Sequence, residues 1–288
     1  MKTKFFANAI LGAGLCCAQV LASGLKSSDI EGFAAPESVF VDSSFIYVSN
    51  IGAKPEPLAK DGDGFISKLD KNGNFIERAF IENLNAPKGM ARLDDRLFVV
   101  DIDTLYAFDV RSKKQALKLP INGAVFLNDI AVLDSDTLLI SDTGTGIIHK
   151  INLANNAIEE FYKLDMSEFG GGNGLAIDKK NNALIIAGYH PDGASGGKVM
   201  RLNLASKKLE TLLDTKGAYD GVAVLENGDV LVSSWGENLQ GVIYRINNGK
   251  VSALELPFMQ GPADFFVDKN TLYIPKMLEN KVQKVELK

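Results

Sequence analysis

The stretch NGLAIDKKNNALIIAG, residues 173–188, decides the fold because it contains a complete strand-turn-strand unit. A polar residue, Asn173, precedes a short apolar segment, and a turn rich in lysine and asparagine follows. A second apolar segment rich in Leu and Ile completes the unit. Short apolar runs separated by turn residues are typical of antiparallel strands. The stretch therefore predicts a β-hairpin.

The same unit recurs along the chain. Its six copies are ESVFVDSSFIYVSN from Glu37, GMARLDDRLFVVD from Gly89, NDIAVLDSDTLLISD from Asn128, NGLAIDKKNNALIIAG from Asn173, DGVAVLENGDVLVSS from Asp220 and ADFFVDKNTLYIPK from Ala263. Successive copies begin 39 to 52 residues apart. A repeat of this length is typical of propeller blades and is not expected of a β-sandwich.

Further strands follow each hairpin. Alternating segments such as GFISKLD, residues 64–70, and VIYRINN, residues 242–248, predict a third strand, and NFIERAF, residues 74–80, predicts a fourth. The sequence therefore predicts an all-β fold, a six-bladed β-propeller of four-stranded antiparallel blades. Because the last copy ends after three strands, we expect residues near Leu25 to Phe33 to supply its outer strand and to close the ring.

The first 22 residues have the pattern of a secretory signal peptide. Two early lysines precede an apolar run over residues 5–21, and small residues at the end of that run supply a cleavage site. We expect cleavage near Ala22, a propeller domain over residues 23–288 and an exported protein, periplasmic or secreted. A retained anchor or lipidation are the alternatives. The two cysteines, Cys16 and Cys17, both lie in this segment, so no cysteine-based zinc site is expected in the mature domain.

Composition excludes some partners. The 288 residues are 46% hydrophobic and 23% charged, with a formal net charge of -5, which is ordinary for a globular protein. Basic residues form no cluster longer than a pair such as Lys113-Lys114. Nucleic acid is therefore not expected as a partner. After signal cleavage no membrane contact is expected either, which leaves a small-molecule substrate and, as an open possibility, a protein partner.

Polar residues recur at the start of the first strand of the unit. In a propeller this strand lines the central channel, so the starting positions converge in space. They are Glu37, Gly89, Asn128, Asn173, Asp220 and Ala263. Two carboxylates and two amide carbonyls make an all-oxygen set, which suits calcium or magnesium. A single Asn or Asp residue before a strand is common in turns. Four residues with side-chain oxygens at the same position of the repeat favour a shared channel site instead. The second strands end in Asn50, Asp101 and Asp142, which either reach the channel or close blade turns.

Four segments together resemble the ligand motifs of the senescence marker protein, gluconolactonase and luciferin-regenerating enzyme family. They are APESVFVD at 35–42, FLNDIAVL at 126–133, GGNGLAID at 171–178 and AYDGVAVLENGDVLVSS at 218–234. The resemblance covers nearly the whole mature chain. It implies that one catalytic divalent cation, calcium before other ions, is held by Glu37, Asn128, Asn173 and Asp220. Two positions depart from the family pattern: Phe126 replaces an arginine that often holds a sugar acid, and Ser38 replaces a glycine.

The resemblance implies a divalent-cation-dependent hydrolase of a small lactone-like or phosphoester-like substrate, and the signal-peptide pattern predicts that it is exported. Asp220 is the first candidate for the catalytic base or nucleophile, and Asp129 is the second. A supporting or turn role for Asp129 is an equal alternative. Tyr189, His190 and Trp235 are candidates for substrate binding at the rim, with a loop carrying aromatic anchors as the alternative. The alternative function is a non-catalytic propeller that binds a protein or glycan and keeps the ion for stability.

Overall fold

The computed structural model describes residues 24–192 and 195–287, and its strands form six four-stranded antiparallel sheets. The predicted signal peptide, residues 1–22, lies outside the described residues. The sheets are the blades of a six-bladed β-propeller, as the repeat predicted. No helix in the described part of the chain is long and apolar enough to cross a membrane.

In the first three blades, four consecutive strands run from the channel outward. Blade 1 contains β2 (Pro36–Val41), β3 (Phe45–Asn50), β4 (Gly64–Asp70) and β5 (Phe75–Leu84). Blade 2 contains β6 (Pro87–Leu93), β7 (Arg96–Asp101), β8 (Thr104–Asp109) and β9 (Gln115–Pro120). Blade 3 contains β10 (Leu127–Asp134), β11 (Thr137–Asp142), β12 (Ile147–Asn152) and β13 (Ala157–Lys163).

The next two blades repeat this order. Blade 4 contains β14 (Gly171–Asp178), β15 (Ala183–Tyr189), β16 (Gly197–Asn203) and β17 (Leu209–Gly217). Blade 5 contains β18 (Tyr219–Val224), β19 (Val230–Ser234), β20 (Val242–Asn247) and β21 (Lys250–Ala253). Between strands lie the one-turn helix α1 (Met166–Phe169) and two 3₁₀ turns, Glu237–Leu239 and Met277–Glu279.

Blade 6 joins the two ends of the chain. It contains β22 (Phe266–Asp268), β23 (Thr271–Lys276) and β24 (Lys281–Glu286), and its outer strand is β1 (Ser27–Glu31). Strand β1 pairs antiparallel with β24 from Ser27 opposite Val285 to Glu31 opposite Lys281. The predicted closure by an N-terminal strand is therefore confirmed. An ion pair of 2.9 Å between Asp29 Oδ2 and Lys276 Nζ adds a side-chain contact to this closure.

The hydrophobic core is divided into layers between neighbouring blades. In the layer between blades 2 and 3, Phe98 and Leu105 pack in one buried cluster with Leu138 and Ile140. Similar clusters fill the spaces between the other blades. Close packing of this kind leaves little freedom to shift one blade against the next. The layers therefore hold the inner strands, and the side chains that begin them, in a fixed arrangement around the channel.

Candidate functional site

Each of the first five inner strands starts with a break in its pairing. In blade 1 the register shifts between Pro36 and Val39, and in blade 3 it shifts between Leu127 and Ile130. The same break occurs at the start of β6, β14 and β18. Two residues in each break are thus free of the ladder with the second strand. Irregularities of this kind change the direction of side chains, and here the irregularities lie at the channel mouth.

The first residue of each break lines a single cavity of about 310 Å³. These residues are Glu37, Lys88, Asn128, Asn173 and Asp220. In blade 6 the corresponding residue is Ala263, which is buried. The sequence pattern had placed Gly89 in this set. Lys88 occupies the position instead, because Pro87 in blade 2 has the register of Pro36 in blade 1.

All four predicted ligands have one buried oxygen without a hydrogen-bond partner. These atoms are Glu37 Oε2, Asn128 Oδ1, Asn173 Oδ1 and Asp220 Oδ1. Buried polar atoms in folded proteins are nearly always paired, so four unpaired oxygens around one cavity need an explanation. A bound cation would supply the partner that the protein does not.

In three of these residues the other polar atom of the side chain is bonded to the protein. Asn128 Nδ2 donates to Thr143 Oγ1 at 3.2 Å, and Asn173 Nδ2 donates to the carbonyl oxygen of Tyr219 at 3.4 Å. Asp220 Oδ2 accepts from Trp235 Nε1 at 2.8 Å. The amides are therefore bonded through nitrogen, which leaves their carbonyl oxygens for a cation. Such bonds fix the orientation of metal ligands.

The donor set fits a hard cation. Two carboxylates and two amide oxygens match the ligands of calcium and magnesium, which bind oxygen and not sulfur or imidazole. No group of three or more His, Cys, Asp or Glu side chains suited to a metal is found among residues 24–192 and 195–287. The candidate site falls outside that definition because half of its ligands are asparagines.

Buried serines in the second strands tie the breaks to the neighbouring blade. Ser141 Oγ accepts from the backbone N–H of Asp129 at 2.9 Å and donates to the carbonyl oxygen of Asn173 at 2.6 Å. Ser233 Oγ likewise accepts from the N–H of Gly221 at 2.8 Å and donates to the carbonyl oxygen of Ala263 at 3.0 Å. These serines satisfy backbone groups left by the breaks and fix adjacent inner strands against each other. Sequence reasoning missed them.

The polar residues that end the second strands close blade turns. Asp142 accepts from the N–H groups of Val125 and Phe126 at 3.1 and 2.9 Å. Asp101 accepts from those of Asn85 and Ala86, and Asn50 Oδ1 accepts from that of Ala34. In each case the acceptor holds the segment that leads into the inner strand of its own blade. This arrangement decides between the two sequence alternatives in favour of turn closure.

Asp129 does not line the mouth cavity. It lines a second cavity of about 430 Å³, farther along the inner strands, together with Asp264. Its carboxylate accepts from the N–H groups of Ile130 and Leu175, both at 2.6 Å. The bond to Leu175 links blade 3 to the inner strand of blade 4 two residues after Asn173. In this structure Asp129 is thus placed as a support for the ring, while a catalytic role remains a prediction.

The three candidate substrate-binding residues lie in different places. Tyr189 and Trp235 line the mouth cavity, and Trp235 also holds Asp220. His190 does not line that cavity. It borders a neighbouring cavity of about 620 Å³, where its Nδ1 lies 2.8 Å from Asp192 Oδ1. The structure therefore brings Tyr189 and Trp235, but not His190, to the four candidate ligands.

Burial, reinforced by repulsion between neighbouring carboxylates, raises the pKa values of Glu37 and Asp220. Burial, followed by the charge of Asp220, raises the pKa of Glu37 well above its ordinary value. Burial raises the pKa of Asp220 to about 7, although the Trp235 hydrogen bond opposes the shift. Burial also lowers the pKa of Lys88 to about 8. A divalent cation favours ionised ligands, so its binding would reverse the shifts of the carboxyl groups.

We expect the free energy of unfolding of the chelator-treated protein to depend on pH through the titration of Asp220. Its pKa is about 7 in the folded protein against an ordinary value of 3.8, so between these values the folded state holds a proton that the unfolded state releases. This contribution to the free energy of unfolding is therefore full below about pH 4 and is lost as the pH rises to about 7. Urea unfolding of wild type and Asp220→Asn across pH 4–8 measures it. An equal pH slope in both proteins would contradict the prediction.

Comparisons with known proteins identify the fold but not a family. No protein-family model matches the sequence, and no curated protein matches it either. A solved structure titled as a nidogen/laminin complex is similar with a TM-score of 0.67 and 15% identity, covering 85% of this chain and 89% of that one. The structure of catalytically inactive virginiamycin B lyase from Staphylococcus aureus with quinupristin is similar with a TM-score of 0.60 and 15% identity. This match covers 92% of this chain and 100% of that one.

A third similar structure is the extracellular domain of a putative one-component system from B. thetaiotaomicron. The TM-score is 0.60 at 12% identity, and the match covers 86% of this chain but only 32% of that one. The present chain thus spans about a third of that solved chain. At such low identities, these likenesses show the propeller fold alone. They include an enzyme and an extracellular domain.

Proposed function

We propose that this protein is an exported hydrolase that depends on a divalent cation, calcium before other ions, and cleaves a small lactone-like or phosphoester-like substrate at the channel mouth. One observation carries the proposal: Glu37, Asn128, Asn173 and Asp220 line the same cavity, and each has a buried oxygen without a protein partner. Resemblance to the ligand motifs of the gluconolactonase-type family supports the same set.

The cavity supports a small substrate. Its volume of about 310 Å³ is at the low end of the range for small-molecule sites. Its walls combine the polar ring with apolar side chains, among them Ile51, Phe126, Trp235 and Met277. Such a lining excludes water from one side of a ligand and leaves the polar groups to orient it.

In the proposed reaction Asp220 moves the proton. Trp235 Nε1 donates to its Oδ2 at 2.8 Å, and its Oδ1 has no protein partner. A bound cation would polarise the carbonyl or phosphoryl oxygen of the substrate. As the oxygen of an attacking water bonds to the acyl carbon or phosphorus, Asp220 accepts the water proton. It then returns the proton to the leaving oxygen as that bond breaks, so no co-reactant besides water is needed.

Calcium is expected to stabilise the mature protein. At a concentration one hundred times the dissociation constant, a ligand that binds only the folded state adds about 2.7 kcal/mol to the free energy of unfolding. Metal content by mass spectrometry and urea unfolding with and without chelator measure the effect. Asn173→Ala is expected to weaken calcium binding by at least about tenfold. Loss of a residue that only orients a metal ligand already lowers metal affinity by about 10- to 100-fold, and Asn173 is a candidate ligand itself.

Asn181→Ala provides a matched control for this experiment. Asn181 is an exposed asparagine in the turn of the same hairpin, where it bonds to Asp178. This variant is expected to bind calcium like wild type. If wild type binds no divalent cation, the proposal fails. If it binds calcium and turns over no lactone, ester or phosphoester, the non-catalytic propeller with a structural ion becomes the better description.

A further inference from the structure

Among residues 24–192 and 195–287, Lys88 is the one basic residue whose side chain lines the mouth cavity. It lies on β6 at the position that the candidate ligands occupy in four other blades, and only 1% of its surface is exposed. Burying an ammonium group is unfavourable unless a partner compensates for the lost water. The partners of Lys88 therefore indicate what the site is built to accept.

The described residues offer Lys88 no carboxylate within ion-pair distance. Its Nζ donates to the carbonyl oxygens of Pro57 and Ala86, both at 2.8 Å, and lies 5.0 Å from the centre of the Phe126 ring. These contacts bring partial charges, while the carboxylates of Glu37 and Asp101 attract the ammonium from beyond ion-pair distance. An ammonium has three N–H donors, so one remains without an acceptor in this part of the chain.

The other buried lysine in the described ranges is paired with carboxylates. Lys276 is 6% exposed, and its Nζ lies 2.9 Å from Asp29 Oδ2 and 3.0 Å from Glu279 Oε2. Buried cations are normally paired in this way. Lys88 differs because it lies beside a cavity large enough to admit a counter-ion from outside.

The charge of the mouth points to an anionic ligand. Among the side chains that line the cavity, Glu37 and Asp220 neutralise the divalent cation of the proposed function, and Lys88 adds one positive charge. Apolar walls surround this charge, including Pro55, Leu58 and Phe126. A ligand that satisfies both features has one negatively charged group and an apolar body.

We propose that Lys88 is the anion-recognition residue of the site and that the substrate carries a carboxylate on an apolar body. This inference rests on the proposed function for the reaction, but carboxylate binding by Lys88 can be measured without turnover. The third N–H of Lys88 donates to the carboxylate. The neighbouring carbonyls of Pro57 and Ala86 hold the ammonium in position for it.

Hexanoate and its neutral analogue hexanamide are suitable probes for isothermal titration. Calcium-loaded wild type is expected to bind hexanoate more tightly than hexanamide. In Lys88→Met hexanoate affinity is expected to fall by about 10- to 100-fold, in line with a lost charged hydrogen bond, while hexanamide affinity stays within about twofold. Lys88→Arg, which keeps the charge, is expected to recover part of the affinity.

Lys60→Met is the matched control. Lys60 is an exposed lysine in the same loop as Pro57, where it pairs with Asp103, and it does not line the cavity. This variant is expected to bind hexanoate like wild type. Equal binding of both probes by wild type, or equal hexanoate affinity in Lys88→Met and wild type, would overturn the inference. The first comparison needs no variant, so it decides even if Lys88→Met does not fold.

Calcium titrations of the same proteins separate this inference from the proposed function. If Lys88→Met binds calcium and hexanoate like wild type, the function stands and the role of Lys88 is wrong. If wild type binds no calcium, the proposed function fails, and the hexanoate titrations are then interpreted on the metal-free protein. There hexanoate is expected to bind more weakly, because no cation compensates the carboxyl groups of Glu37 and Asp220, and equal hexanoate affinity in Lys88→Met and wild type would still overturn the role of Lys88.

Discussion

Asp220→Asn is expected to lower kcat by about 10²- to 10⁴-fold, the range that a positioned general base contributes. The substitution keeps the size of the side chain and an oxygen that can accept from Trp235 Nε1. It removes the group that takes the proton from water. Steady-state kinetics on the lactone, ester or phosphoester that wild type cleaves best, at saturating calcium, measure the effect. Metal content must be measured in parallel, since Asp220 is also a candidate ligand.

Asp178→Asn is the matched control, because it makes the same chemical change at a buried aspartate outside the mouth. Asp178 ends β14 and bonds to Asn181, at the opposite end of the strand from Asn173. This variant is expected to keep wild-type kcat. Turnover near the wild-type rate in Asp220→Asn, with calcium still bound, would show that Asp220 is not the base. Asp129 would then be the remaining candidate.

Much of the fold could be predicted from the sequence because the repeat carries it. A strand-turn-strand unit that recurs six times requires a closed arrangement of similar sheets, and a last unit with three strands requires a fourth from elsewhere. The pairing of β1 with β24 meets that requirement. The mouth residues could be predicted for the same reason, since polar side chains at one phase of a propeller strand converge on the axis.

The phase of the repeat in blade 2 is less clear from the sequence. A unit that begins with a polar or small residue before an apolar strand predicts Gly89 as the starting position. The proline that starts the strand is the better marker: Pro36 precedes Glu37, and Pro87 precedes Lys88. Register in a strand is specified by pairing, and an error of one residue exchanges the channel position for its neighbour.

The direction of Asp129 follows from the same geometry. Consecutive side chains in a strand point to opposite sides, so Asn128 and Asp129 cannot both be expected at the mouth. Asn128 lines the mouth cavity and Asp129 the cavity farther along the channel. Ser141 and Ser233 are different, because their role lies in bonds to the next blade. No local pattern distinguishes such a serine from one that only fills a strand position.

Gly174→Ala is expected to destabilise the protein by about 1–3 kcal/mol, the usual effect of overpacking, and to abolish calcium binding at the mouth. An added Cβ at this position would lie 2.3 Å from the carbonyl oxygen of Asp220 and 2.9 Å from Gly221 Cα. Both are backbone atoms of the adjacent inner strand, which cannot turn aside as a side chain can. Separating β14 from β18 would move Asn173 and Asp220 apart, so stability and the metal site are expected to fail together.

Gly172→Ala tests whether this effect is specific to the contact between the strands. Gly172 lies two residues earlier on β14, and its added Cβ would meet only the Cδ1 atom of Ile148 at 2.9 Å, with other atoms at 3.4 Å or more. A side-chain end can rotate away, so this variant is expected to bind calcium with nearly wild-type affinity. Urea unfolding and calcium titration of both variants give the comparison. If Gly174→Ala binds calcium as Gly172→Ala does, the close approach of β14 and β18 does not set the geometry of the ring.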